Sequence, residues 1–230
     1  MPISHKHQYI FVHIPKNGGT SFGTMMEVYP GDRRVENRDL LVGPISSEDL
    51  KAHGFLSPVL DHLTAKQLLE IIPEQTFSNY FKFAIVRNPW DRMLSQYLFG
   101  VKYFGYAEQG ETNRESGLAD FLNSIADPQS EKRLANISDH GLSFSRQTQL
   151  SFIADENDDL LVDFVARFEN LENDFLVIRD RAGFATKNLP YLNATKHAHY
   201  SEYYNEESKH IVEELFARDI DFFGYRFEKK

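Results

Sequence analysis

Residues 9–29, YIFVHIPKNGGTSFGTMMEVY, decide the reading of the fold. Tyr9, Ile10, Phe11 and Val12 form a short aromatic and β-branched run, the composition of a buried strand. Pro15, Lys16, Asn17, Gly18 and Gly19 suit neither strand nor helix and mark a turn. Phe22, Met25, Met26 and Tyr29 then recur at i, i+3, i+4 and i+7, one face of a helix, and Pro30-Gly31 stops it. A strand, a glycine turn and a helix in that order aim the unpaired N–H groups of the helix start at whatever lies over the turn. The helix dipole favours negative charge there, and glycines let a bulky anion approach the backbone.

Lys16 adds a full positive charge to this turn, and Thr20 and Ser21 add hydroxyl donors. The stretch therefore reads as a phosphate or sulfate cradle, with an ordinary tight turn as the plain alternative. It is not a Walker A loop, which places its lysine after the last glycine and directly before Ser/Thr. Here Lys16 precedes Gly18-Gly19, so the usual magnesium ligand is missing.

A second unit of the same kind follows. Phe81 to Val86, FKFAIV, is a strand that runs into Arg87-Asn88-Pro89-Trp90-Asp91-Arg92. Pro89 suits the first turn of a helix. Trp90, Met93, Leu94, Tyr97, Leu98 and Val101 give the clearest amphipathic spacing in the chain. Arg87 stands at the carboxyl end of the strand, where ligands bind in open α/β sheets. Ser95 lies two turns along, off the apolar stripe, and Arg92 is read as a structural residue supported by Asp91 or another carboxylate.

Before that strand, Thr64 and Gln67 form a capping box, with Leu63 and Leu68 as its staple. Ala65, Leu68, Leu69 and Ile72 line one helical face, and Pro73 ends the helix. His62 sits just outside this helix start, as readily a solvated loop histidine as a functional one. Ser116 is read as a cap for a helix carrying Leu118, Phe121, Leu122 and Ile125. Gln147 and Gln149 are read as surface residues, with substrate contact as the alternative. Asp163–Phe168 reads as a third strand, Asn170 as the cap of the helix after it, and Glu169 as a structural carboxylate. His197 and His199 fall in a polar, aromatic loop, and the last helix begins near Asn205.

Composition narrows the function. The chain has 230 residues, 41% hydrophobic and 13% aromatic, enough for a folded core in one domain over residues 1–230. A net charge of −9 argues against nucleic acid or an anionic membrane surface as a general partner, so an anionic ligand must meet a local basic cluster. With no cysteine there is no disulfide, thiolate nucleophile or cysteine zinc site. The chain carries neither a membrane-length apolar run nor a signal-like N-terminus, and a cytoplasmic location is the expectation.

HIPKNGGTSF and FKFAIVRNPWDRMLSQY together resemble the sulfotransferases that use 3′-phosphoadenosine-5′-phosphosulfate (PAPS). The closer likeness is to the carbohydrate branch that includes heparan sulfate 2-O-sulfotransferase and bacterial relatives. ARFENLENDF and the YSEYYNEE…DIDFFGY tail look like that branch too. The resemblance implies an α/β fold, a three-layer P-loop-like domain with a mainly parallel central sheet and helices on both faces. It implies transfer of a sulfuryl group from PAPS to an acceptor hydroxyl of a carbohydrate or small molecule, leaving adenosine 3′,5′-bisphosphate. Lys16 would neutralise the departing phosphate, and Asn17, Gly18, Gly19, Thr20 and Ser21 would bind the phosphosulfate. Arg87 and Ser95 would hold the 3′-phosphate, helped by Thr195 and Lys196 from a loop that closes in relatives. His62 would be the base. No metal is expected, since cationic side chains and N–H groups supply the neutralisation. The Golgi relatives carry a membrane anchor and lumenal cysteines that this chain lacks, so compartment and acceptor do not transfer.

Two rivals remain open at this point. A nucleotide kinase would need ATP and magnesium, and the missing Lys-Ser/Thr ending argues against it. A non-catalytic nucleotide-binding module is disfavoured because the lysine, arginine, serine and candidate base are all present.

Overall fold

The structure, a computed structural model, describes residues 3–5, 7–19, 22, 62–104, 114–127, 144–183 and 197–230. The chain divides into two compact units, Met1–Val86 with Gln149–Ala194, and Arg87–Thr148 with Thr195–Lys230.

The first unit is built on a four-stranded sheet in the order β1 (Ile3–Ser4), β2 (Tyr9–Val12), β3 (Phe81–Val86), β4 (Phe164–Arg167). β1 pairs antiparallel with β2; β2–β3 and β3–β4 are parallel. The mainly parallel α/β fold expected from sequence is therefore present. Register explains why these strands are so apolar. Phe11 pairs with Phe83, and Phe83 with Phe164, so Tyr9, Phe11, Phe81, Phe83, Ile85, Phe164 and Ala166 share one face. That face meets Phe22 and the inner face of a helix at Leu171–Ala182. Ile10, Val12, Ala84 and Val86 on the opposite face are equally buried, so the sheet is covered on both sides. Phe11 stacks on Phe83 at 5.1 Å, and Phe22 meets Phe175 edge-on at 5.7 Å. Such pairs add about 0.5–1.5 kcal/mol beyond area burial.

Helix α1 (Ala65–Ile71) starts on the expected capping box: Gln67 N donates to Thr64 Oγ1, and Thr64 N donates to Gln67 Oε1. Its buried line is Ala65, Leu68 and Ile72, while Leu69, expected on that face, is 42% exposed. In so short a helix the contact stripe is narrow, and Leu69 falls beside it. Pro73 ends α1 and stands at the N-cap position of an unanticipated helix, α2 (Glu74–Asn79). Six residues with Phe77 as the one buried anchor carry too little period to be read. β1 is likewise too short to read.

The second unit holds α3 (Pro89–Phe104) and α4 (Arg114–Ala126). Ser116, read as a cap, lies inside the first turn of α4. Leu118, Phe121, Leu122 and Ile125 are buried as the spacing predicts. In the first unit, α5 (Leu150–Ile153) precedes β4, and α6 (Leu171–Ala182) follows it through a 3-10 turn at Phe168–Asn170. Asn170 occupies the α6 N-cap position but makes no bond to the helix N–H groups, and its Oδ1 accepts from Asn173 Nδ2 at 2.7 Å instead. Gly183 ends α6 with φ 70°. The second unit closes with a 3-10 turn at Tyr200–Tyr203, α7 (Glu206–Leu215) and the unanticipated α8 (Ala217–Phe223). Asn205 caps α7 in a box with Ser208. Among the described residues no helix is long and apolar enough to cross a membrane.

Candidate functional site

The turn after β2 departs from ordinary loop geometry at two residues. Lys16 has φ 70° and Gly18 φ 83°, both left-handed. Glycine adopts this region freely; for lysine it is an uncommon conformation that surrounding structure must enforce. The helix expected after the turn begins at Gly19, and Phe22 N donates to Gly18 O at 3.3 Å. Gly18 is favoured by its left-handed backbone, and Gly19 is sterically required. A Cβ at Gly18 would stand 3.2 Å from Phe168 Cε2, and one at Gly19 would collide with the His13 ring. A half-exposed lysine, bare glycine backbone and the N–H groups of a helix start together form a donor set that fits an anionic phosphosulfate.

Asn17 is 1% exposed, and its amide is tied inward. Nδ2 donates to Ile85 O and to Gln149 Oε1, each at 2.7 Å. Gln149 is 0% exposed, which corrects its reading as a surface residue. Its acceptor is needed inside, against the loop, and alternation beside an apolar run cannot reveal such a partner. Thr20 and Ser21 lie outside the described residues, as do Thr195 and Lys196.

His62 stands two residues before the capping box, half-buried. Its Nδ1 donates to the His13 carbonyl at 3.2 Å, and its ring lies 4.5 Å from the His13 ring. A carbonyl oxygen only accepts, so this bond assigns the proton to Nδ1. That leaves Nε2 as the basic nitrogen of the neutral ring. The first unit thus brings His62 beside His13, three residues before Lys16. His13 also stacks on Phe11 at 5.5 Å. Sequence reasoning passed over His13. Its position between a strand end and a glycine turn was the available signal.

In the second unit the turn Arg87–Trp90 is organised by side chains. Asn88 Oδ1 accepts from Trp90 N at 3.1 Å, an N-cap ahead of Pro89 at the first helical position. Asn88 Nδ2 donates to Arg226 O at 3.0 Å and Tyr200 Oη at 3.4 Å. Arg87 Nε donates to Asp91 Oδ2 at 2.8 Å. Arg92 was expected to be supported by Asp91 or another carboxylate; Asp91 is held by Arg87, and Asp219 is the carboxylate that favours the Arg92 charge. Four-residue spacing puts Arg87 and Asp91 on one line, with half-buried Ser95 four further on, whereas Arg92 is rotated toward the interior. Arg92 is 1% exposed; its Nη1 donates to Gln147 O at 3.0 Å, and its guanidinium lies 5.7 Å from the Phe216 ring. Burial pulls its pKa down to about 10, with Asp219 opposing, so it stays charged at neutral pH. Arg92 is buried and tied to backbone carbonyls, the structural placement read from sequence.

The tyrosines near this turn are neutral hydrogen-bonding groups. Burial pushes the Tyr204 phenol well above its ordinary range, and it donates to Trp90 O at 2.7 Å. Tyr200 is raised by burial as well, and its oxygen accepts from Glu228 N at 2.7 Å. His199 caps the 3-10 turn by accepting from Ser201 N, and His197 meets Tyr203 edge-on at 6.3 Å. Both keep the loop roles read from sequence.

A family model described as Sulfotransferase family matches residues 1–226. No curated protein and no solved structure matches the chain.

Proposed function

The chain belongs to the sulfotransferase family, and from that premise we propose that it transfers a sulfuryl group from PAPS to a carbohydrate hydroxyl by in-line displacement. The observation that carries the reading is the turn after β2. Lys16 and the bare backbone of Gly18 and Gly19 stand at the carboxyl end of a parallel strand where a helix begins. When bound, PAPS supplies an activated sulfuryl group with a phosphate as its leaving group.

The chain's own residues then divide the work. Lys16 neutralises the charge that builds on the departing phosphate, and the N–H groups of Gly18 and Gly19 donate to the phosphosulfate oxygens. Arg87, with Asp91 holding its Nε, presents a guanidinium to the 3′-phosphate, and Ser95 adds a hydroxyl. Thr195 and Lys196, outside the described residues, would add to that grip by resemblance alone. His62 Nε2 would take the proton of the acceptor hydroxyl, whose oxygen would bond to sulfur as the phosphate leaves with the oxygen that had joined them. The Nδ1 bond to His13 O supports this role, because it keeps the basic nitrogen on the other side of the ring.

One observation favours a second assignment of the base. The His13 ring supplies the nearest atoms to Gly19. The pH profiles of His13→Ala and His62→Ala separate the two, since removal of the base abolishes the acidic limb of kcat/KM and removal of its neighbour does not.

The test is transfer of labelled sulfuryl groups from PAPS to a panel of glycan, phenol, steroid-alcohol and amine acceptors. Product on a glycan, with release of adenosine 3′,5′-bisphosphate, is expected. Thermal stabilisation by ATP with magnesium, and none by adenosine 3′,5′-bisphosphate, would overturn the proposal in favour of a kinase.

A further inference from the structure

We propose that Gln149 is a positioning residue for the donor loop, acting through Asn17. The inference rests on the reading of Lys16–Gly19 as the phosphosulfate cradle. Asn17 sits between two left-handed residues, Lys16 at φ 70° and Gly18 at φ 83°. A lysine holds that conformation only where its neighbours over-determine the backbone, because Cβ crowds the following carbonyl. The hydrogen bonds of the Asn17 amide supply that constraint.

An amide nitrogen has two protons, and both of Asn17's are committed at 2.7 Å, one to Ile85 O and one to Gln149 Oε1. The two acceptors stand on rigid elements. Ile85 belongs to β3, one residue past the last β2–β3 pair, Val12↔Ala84, so Asn17 takes up sheet pairing where β2 stops. Gln149 begins α5, whose Leu150, Phe152 and Ile153 are buried. The loop is therefore pinned at its middle residue to two fixed points, and the backbone on either side is held in the conformation that exposes it.

This arrangement reassigns the Asn17 side chain. It was expected to contact the donor, yet its donors are turned inward. Its Oδ1 is buried with no hydrogen-bond partner among the described residues, and a carboxamide oxygen repels anionic oxygens. The side chain serves the loop's shape, and its strength as a clamp depends on Gln149 supplying an acceptor at the right reach.

The experiment measures adenosine 3′,5′-bisphosphate binding by calorimetry and amide hydrogen exchange at residues 16–19. It compares the parent, Gln149→Met, Gln149→Glu, Asn17→Ala and the double variant Asn17→Ala/Gln149→Met. Gln149→Met keeps the length and removes the acceptor, and is expected to raise the dissociation constant about tenfold and speed exchange in the loop. Gln149→Glu keeps an acceptor and is expected to recover most of the affinity. In the Asn17→Ala background, Gln149→Met is expected to add less than about twofold, because its route to the loop is gone. Equal weakening in both backgrounds, or unchanged affinity in Gln149→Met, overturns the proposal. Should Gln149→Met melt too low to assay, Asn17→Asp replaces it. It sets an acceptor against Ile85 O and Gln149 Oε1, and unchanged affinity there overturns the proposal equally. A parent that fails to bind the bisphosphate at all removes the donor-site reading itself, and this inference with it.

Discussion

The turn after β2 and the turn after β3 begin alike, each at the carboxyl end of a parallel strand, and are built on opposite principles. The first is a backbone device. Two left-handed residues and two glycines strip side chains away from the chain, and a buried amide holds the bare loop open. The second is a side-chain device. Asn88 caps α3, Asp91 holds Arg87 by its Nε, and the only special backbone feature is a proline at the first helical position. Under the proposed function, N–H donors and a lysine at the first turn would follow the charge that moves with a sulfuryl group, and an oriented guanidinium at the second would hold a static phosphate.

The comparison can be broken or sharpened in decreasing order of effect. The largest change is expected at His62, the proposed base. His62→Ala should lower turnover about 10²–10⁴-fold and leave adenosine 3′,5′-bisphosphate affinity unaltered. Full activity in that variant would move the base elsewhere, with His13 the first residue to examine. A smaller effect is expected from Asn88→Ala, which removes the cap of α3 and the bond to Arg226 O. It should cost about 1–2 kcal/mol in urea unfolding, and it should weaken the response to the 3′-phosphate more than the response to the 5′ end. The smallest is expected at Lys66, whose ion pair with Glu156 at 2.8 Å is exposed on both sides. The ammonium holds the Glu156 carboxyl below its ordinary range. A carboxyl with a depressed folded-state pKa stabilises the fold above its unfolded value and loses that contribution as pH falls through the folded one. Because both groups are exposed and screened, Lys66→Ala should leave the melting temperature unchanged between pH 7 and pH 3. A clear pH-dependent loss would show that this surface carries more of the fold than its exposure suggests.

Much of the sheet was legible because fully buried parallel strands leave unmixed apolar runs, and FKFAIV coincides with β3 residue for residue. The capping box at Thr64 was legible because its two bonds are local in sequence. What escaped were pairings across long separations. Gln149 looks like any polar residue at a helix start until Asn17 is found against it, 132 positions away. Arg92 and Asp91 are neighbours in the sequence, yet one residue is a hundred degrees of helix, enough to send Arg92 inward and leave Asp91 to Arg87. His13 was hidden by its neighbours, since the lysine and glycines after it carry the motif. Short elements such as α2 and β1 escaped because fewer than two turns or three strand residues hold no measurable period.

The central claim is that Lys16 serves the 5′ end of the nucleotide and Arg87 its 3′-phosphate. The direct measurement is calorimetric affinity for adenosine 3′,5′-bisphosphate and for adenosine 5′-monophosphate in the parent, Lys16→Ala and Arg87→Ala. Each loss is expected to cost about 1.5–3 kcal/mol toward the bisphosphate. Lys16→Ala should weaken both nucleotides alike and keep the parent's preference for the bisphosphate, and Arg87→Ala should weaken the bisphosphate alone and erase that preference. An Arg87→Ala protein that still prefers the bisphosphate as strongly as the parent would contradict the account.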